Sequence, residues 1–150
     1  YVATRFHRAR VDAVLRSASI GVKFGPSTDG YVMTTYVDGD GDGIRSEDIR
    51  DGTDTADGPS ARLGELYPGV RVGVLDGLPA IEASAEPPGD DPVRFGAARL
   101  ASFAADGSAT PGTLYLQGID GSQYAVRVAG ETGRVRAWVF ERRGRVWRPM

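Results

Sequence analysis

The sequence predicts an α+β fold in which one amino-terminal helix packs against antiparallel β-sheets. Three observations carry the prediction. Apolar residues recur every three to four positions as far as Arg16, then switch to every second position, and from there short apolar runs are punctuated by Gly, Asp and Pro. With 150 residues, 41% of them hydrophobic and 25% charged, the chain is long enough for one core of ordinary composition, so one domain over residues 1–150 is expected. No internal repeat of about 20 to 50 residues is visible.

The helix is expected over about residues 1–16. Val2, Phe6, Ala9 and Ala13, with Val14 beside them, form its apolar stripe, while Arg5, Arg8, Asp12 and Arg16 take the other faces. No capping residue precedes it, as for the lower part of a longer helix. The β-rich region follows over about residues 18–150. Ile20, Val22 and Phe24 alternate with Gly21 and Lys23, GPSTDG turns the chain, and YVMTTYV returns it as a hairpin. The hairpin leads into an acidic loop over about residues 38–58. Val70–Leu75 is a further strand candidate, and the stretch holding Pro79, Pro87, Pro88, Gly89 and Pro92 reads as loop. The runs VRF, LASF, TLYLQ, QYAVRVA, RVRAWVF and RVWR, separated by DG, GIDGS, GETG and RRG, read as a meander, which brings the expectation to roughly eight short strands in two groups.

The net charge of −2 argues against a global nucleic-acid binder, but it hides an asymmetry. Asp38, Asp40, Asp42, Glu47, Asp48, Asp51, Asp54 and Asp57 face only Arg45 and Arg50 in the acidic loop, whereas Arg134, Arg136, Arg142, Arg143, Arg145 and Arg148 dominate the carboxy terminus. The chain has no cysteine, which removes disulfides, thiolate metal sites and cysteine nucleophiles. Its one histidine, His7, lies on the predicted helix among arginines and has no second imidazole with which to build a zinc site or a serine triad. Asp90 and Asp91 lie in a Pro/Gly loop, and the glycines occupy turns rather than a phosphate-cradling loop before a helix. Nothing here assembles catalytic chemistry, so the expectation is a non-enzymatic protein. No run approaches the ~20 apolar residues of a membrane span, and with the chain opening on Tyr1 rather than Met, any such segment is expected upstream.

Two stretches carry sharper chemistry. DGDGDG supplies Asp38, Asp40 and Asp42 at every second position with Gly43 after them, the oxygen-rich tight loop that a hard cation such as calcium needs. In a helix-loop-helix calcium site the twelfth position carries a bidentate acid, and here that position is Ile49, so Asp48 or Asp51 must fold back to close the shell. A structural calcium on Asp38, Asp40, Asp42 and Asp48 competes with a solvated loop of good turn formers. The second stretch interleaves Arg134, Arg136, Arg142, Arg143, Arg145 and Arg148 with Trp138 and Trp147, the combination that binds phosphates and stacks bases. Its competitor is an ordinary exposed strand face in a chain whose single lysine is Lys23.

The order of these pieces resembles a family. ARVDAVLRSA, the strand IGVKF, YVDGDGDGIRSEDIRDGTD, SFAADGSATPGTLYL and YAVRVAGETGRVRAWVF together are similar to the GspH/FimT group of type IV pilin-like proteins, the minor pseudopilins of type II secretion and minor pilins of type IV pili. The most specific part is residues 102–140, where Phe103, Gly107, Gly112, Thr113 and Leu114 run into a strand and then Gly133, Arg134 and Arg136. The resemblance implies a pilin-like fold in which the helix is the carboxy-terminal half of a long one. Its upstream half would be a single membrane span in the bacterial inner membrane, preceded by a leader that a prepilin peptidase removes while methylating the new terminus. The β-rich domain would then stand in the periplasm or on an extracellular filament. Partners would be other pseudopilins or pilins and a secreted substrate. The resemblance implies that the acidic loop is a connection, which weighs against calcium, and it keeps open a DNA-binding minor pilin of a competence-type pilus, using the Gly-Arg-x-Arg region. The other alternative, a calcium-stabilised adhesion module, rests on Asp38, Asp40 and Asp42 themselves.

Overall fold

The computed structural model describes residues 1–150. Helix α1 spans Val2–Arg16 and buries Val2, Phe6, Ala9 and Ala13, the stripe that the spacing predicts. Val14 departs from the expectation: it is 49% exposed, because a face one residue wider than the 2-6-9-13 row turns away from the sheets. Ser17 ends the helix in the left-handed region at φ 52°, with its amide closing on the Val14 carbonyl.

β1 (Ile20–Ser27) and β2 (Gly30–Val37) form the predicted hairpin, Ile20 opposite Val37 and Ser27 opposite Gly30. The acidic segment is more ordered than a loop, since it contains a short helix α2 (Ser46–Asp51) and a two-residue strand β3 (Thr55–Ala56). A helical turn α3 (Leu63–Leu66) leads to β4 (Val70–Val72), which stops short of the expected Leu75. Elements this short show no readable periodicity. Residues 79–92 are irregular, as their prolines require, and β5 (Val93–Arg94) follows. The chain then forms β6 (Leu100–Phe103), β7 (Gly112–Gly118), β8 (Gln123–Val128), β9 (Val135–Glu141) and β10 (Val146–Pro149).

The strands divide into a four-stranded sheet ordered β3-β2-β1-β6 and a six-stranded sheet ordered β10-β9-β8-β7-β4, with β5 also paired to β7. The meander therefore covers β7 to β10 only. LASF leaves it and lies antiparallel to β1, Ile20 opposite Phe103, a partnership of distant segments that no local pattern announces. Helix α1 packs on both sheets, and at its centre the Phe6 ring meets Phe24, Phe95 and Phe103 at centroid distances of 6.1, 5.7 and 5.9 Å. These edge-on and tilted contacts tie α1 to β1, to the residue after β5 and to β6.

Gly21 explains how the acidic segment is seated. A side chain there would lie 2.9 Å from Leu100 and 3.1 Å from Ile44, so its absence lets Ile44 of the acidic loop pack directly on β1. Ile44 is buried by that contact.

Candidate functional site

The acidic loop is held by its own carboxylates. Asp38 accepts the amides of Asp40 and Gly41 on Oδ1 (3.1 and 2.9 Å) and that of Gly43 on Oδ2 (2.8 Å), curling the backbone around itself. Gly41 and Gly43 take φ 85° and 94°, conformations that side chains disfavour, and any side chain on Gly39 would run into the Thr53 carbonyl. Asp54 closes the far side: it accepts Gly39 N–H at 3.1 Å and Arg45 N–H at 2.9 Å, and it is only 2% exposed. The loop is thus a preformed turn with its donors satisfied, as buried backbone demands.

Two overlapping groups of carboxylates result, Asp38 with Asp40 and Asp42, and Asp40 with Asp48 and Asp54; within each group the oxygens lie within 4.8 Å of one another. The predicted Asp38, Asp40, Asp42 and Asp48 are all present in this arrangement, whereas Asp51 spends its carboxylate on the Thr53 amide and joins neither group. Asp54 is the residue that sequence reading missed, because only the closed loop turns it inward. Asp48 Oδ2 is out of reach of solvent and has no hydrogen-bond partner. Burial, then the charges of Asp40, Asp54 and Asp51, push the Asp48 carboxyl above the ordinary carboxylate range. Asp40 is raised as well, chiefly through its contact with Asp42. For Asp38, burial acts upward but is outweighed by the three backbone donors, and its carboxyl is held low. Chemically, the arrangement is an oxygen-only cluster whose members repel one another until a proton or a hard cation intervenes.

The carboxy-terminal arginines divide. Arg142 donates to the Gly121 carbonyl, Arg145 to the Gly77 carbonyl at 3.0 Å, and Arg148 pairs with Glu141. Arg134, Arg136 and Arg143 are exposed and make no side-chain hydrogen bond or ion pair. The expected stacking aromatics are turned inward: Trp147 is 5% exposed, donates to the Pro79 carbonyl at 2.9 Å and packs on Tyr115, while the Trp138 indole nitrogen is buried. Bases would find guanidinium groups here without an aromatic platform.

Apart from the exposed Arg134 and Arg136, the residues that carry the family resemblance prove to serve packing and turns. Phe103 and Leu114 are fully buried. Gly133, at φ 61°, sits where a side chain would run into the Gly107 carbonyl and lie 2.9 Å from Arg10 Nε, so the two turns close over the helix because Gly133 has none, while Gly107 serves its turn through its own φ of 88°. Gly112 similarly admits the Phe95 ring and the Arg94 carbonyl.

On the opposite side of α1, away from the sheets, Val11, Val14 and Leu15 are 53%, 49% and 77% exposed. They lie at i, i+3 and i+4, on one face with exposed His7 and Arg8. No helix of the structure is long and apolar enough to cross a membrane.

The sequence matches the family described as Type II transport protein GspH over residues 2–133, which includes the helix, both carboxylate groups and the glycine-bearing turns. Among curated proteins and among solved structures, none matches the chain.

Proposed function

Since the chain belongs to the GspH family of type II transport proteins, a family of structural pseudopilin components, we propose that it is a minor pseudopilin that enters a secretion filament through α1. The observation that carries this reading is the two-sided helix. One side buries Phe6 and its neighbours against both sheets, and the other offers Val11, Val14 and Leu15 to solvent, an apolar row that a neighbouring helix would cover. In this reading an upstream continuation of α1 crosses the inner membrane. Long helices of successive subunits bundle in the filament core, and the sheets face outward into the periplasm, where they meet other pseudopilins or the secreted substrate.

The test is a double substitution, Val11→Asp with Leu15→Asp, in the full-length protein. The side chains are exposed, so the unfolding free energy of the isolated domain should change by no more than about 0.5 kcal/mol per substitution, the range of neutral surface changes. Copurification with the other pseudopilins and secretion should be lost. Retained assembly and secretion would overturn the proposal, as would a gene whose upstream codons encode a soluble domain in place of about 20 apolar residues.

The unpaired guanidinium groups of Arg134, Arg136 and Arg143 favour one second reading, a minor pilin that binds DNA. Under it, the domain shifts duplex DNA in a gel with an affinity that falls steeply with salt, because each phosphate contact releases a counterion. Absence of any salt-sensitive shift removes this reading.

A further inference from the structure

The register of the six-stranded sheet places Arg94 of β5 opposite Thr113 of β7, Thr113 opposite Arg127 of β8, and Arg127 opposite Arg136 of β9. Directly opposed residues project from the same face, so three arginines and a threonine form one row across four strands. With strands about 4.8 Å apart, the row is about 14 Å long. Arg127 and Arg136 are an opposed pair of like charge, an arrangement that costs stability unless anions lie over it. The irregular segment before β5 supplies one anion to this pair, Glu82 on Arg127 at 3.3 Å, and a second to the far end of the row, Glu86 on Arg94 at 3.7 Å. Between this strap and the sheet lies a groove of roughly 480 Å³. Arg136, at the end of the row, has no acid of its own and is exposed.

We propose that the arginine row is a docking site for an extended acidic segment of a partner protein, which pairs with Arg136 and takes Arg127 from Glu82. The strap's glutamates already pair with two of the three arginines, Glu82 with Arg127 and Glu86 with Arg94, as the carboxylates of an acidic peptide would. Along the row Arg127 and Arg136 stand about 4.8 Å apart at the backbone and Arg94 and Arg127 about 9.6 Å, with Thr113 between them; carboxylates two residues apart in an extended chain are about 6.8 Å apart, and the long arginine side chains take up the difference. The strap's pairs are exposed and weak, so a longer acidic segment displaces Glu82 at small cost. An acidic peptide is favoured over duplex DNA because Arg94 and Arg127 line the groove beneath the strap, which a single extended chain can enter and a rigid duplex cannot. This inference is independent of the filament reading: it concerns the sheet, and α1 takes no part in it.

The test is fluorescence anisotropy with a labelled glutamate decapeptide on the 150-residue chain, at about 50 mM salt to limit screening. The peptide should bind the wild type. Arg136→Glu should weaken it about tenfold, corresponding to one lost charge-assisted pair. Arg143→Glu, an equal charge change in the turn after β9, should alter binding by less than about twofold, and Glu82→Gln should tighten it several-fold by freeing Arg127. Circular dichroism confirms that each variant is folded. The proposal is overturned if neither the wild type nor Glu82→Gln binds, if the two arginine reversals weaken binding equally, or if Glu82→Gln leaves it unchanged. It is also overturned, in favour of a nucleic-acid surface, if duplex DNA displaces the peptide and binds more tightly through Arg136.

Discussion

Asp54 and Asp48 stand close together and do opposite work. Asp54 holds the loop, and Asp54→Ala would leave the amides of Gly39 and Arg45 without their acceptor in a buried site. With two charge-assisted bonds lost, chemical denaturation should show a loss of about 3 kcal/mol. Asp48 strains the loop, because its raised carboxyl means that the folded state holds the proton more tightly than the unfolded chain does. Protonation therefore favours folding, and the cost of the charge appears as pH rises through the folded value. We propose that a calcium ion relieves the same cost, bound by Asp40, Asp48 and Asp54 or by the adjoining Asp38 and Asp42. Without calcium, Asp48→Asn should raise the melting midpoint. Millimolar calcium should raise that of the wild type, by the mass action of a ligand that binds only the native state; the rise is lost in the variant for an ion on Asp40, Asp48 and Asp54 and retained for one on Asp38, Asp40 and Asp42. An unchanged wild-type midpoint removes the ion from the account. Asp38 has the opposite sign: its low carboxyl contributes stability that is present above the unfolded value and lost as pH falls through the folded one. The Gly43 amide resonance should accordingly titrate below the ordinary carboxylate range.

Helix α1 is read in the sequence almost entire, because four buried residues at helical spacing outvote everything around them. What the spacing cannot supply is Val14's orientation. Val11, Val14 and Leu15 continue an apolar pattern around the helix, and only the position of the two sheets decides which part of that pattern is core and which is surface. Phe6 is where the helix is fastened. Phe6→Ala would open a void among three phenylalanine rings and should cost about 3 to 5 kcal/mol, measured by thermal or urea unfolding. Val11→Asp, on the other face, should cost almost nothing in the same measurement. That contrast separates the side of α1 that makes the domain from the side proposed to make the filament.

Across the whole molecule, the sequence by itself determined the α+β class, the helix, the β1–β2 hairpin, the β7–β10 meander and, through the glycines and Phe103 of residues 102–140, the resemblance that the family match bears out. These are local signals: a period, a turn composition, a motif with fixed spacing. It also exposed the acidic run, since aspartates at alternate positions need no fold to be recognised. Tertiary structure decided the rest. It sent β6 across to β1, turned Asp54 into the carboxylate cluster, buried Trp147 that sequence reading had set beside the arginines as a stacking group, and aligned Arg94, Arg127 and Arg136 in one row. Each of these joins residues far apart in the chain through strand register or loop closure. Such pairings are chosen by the fit of the assembled core, and a single sequence carries no local mark of them.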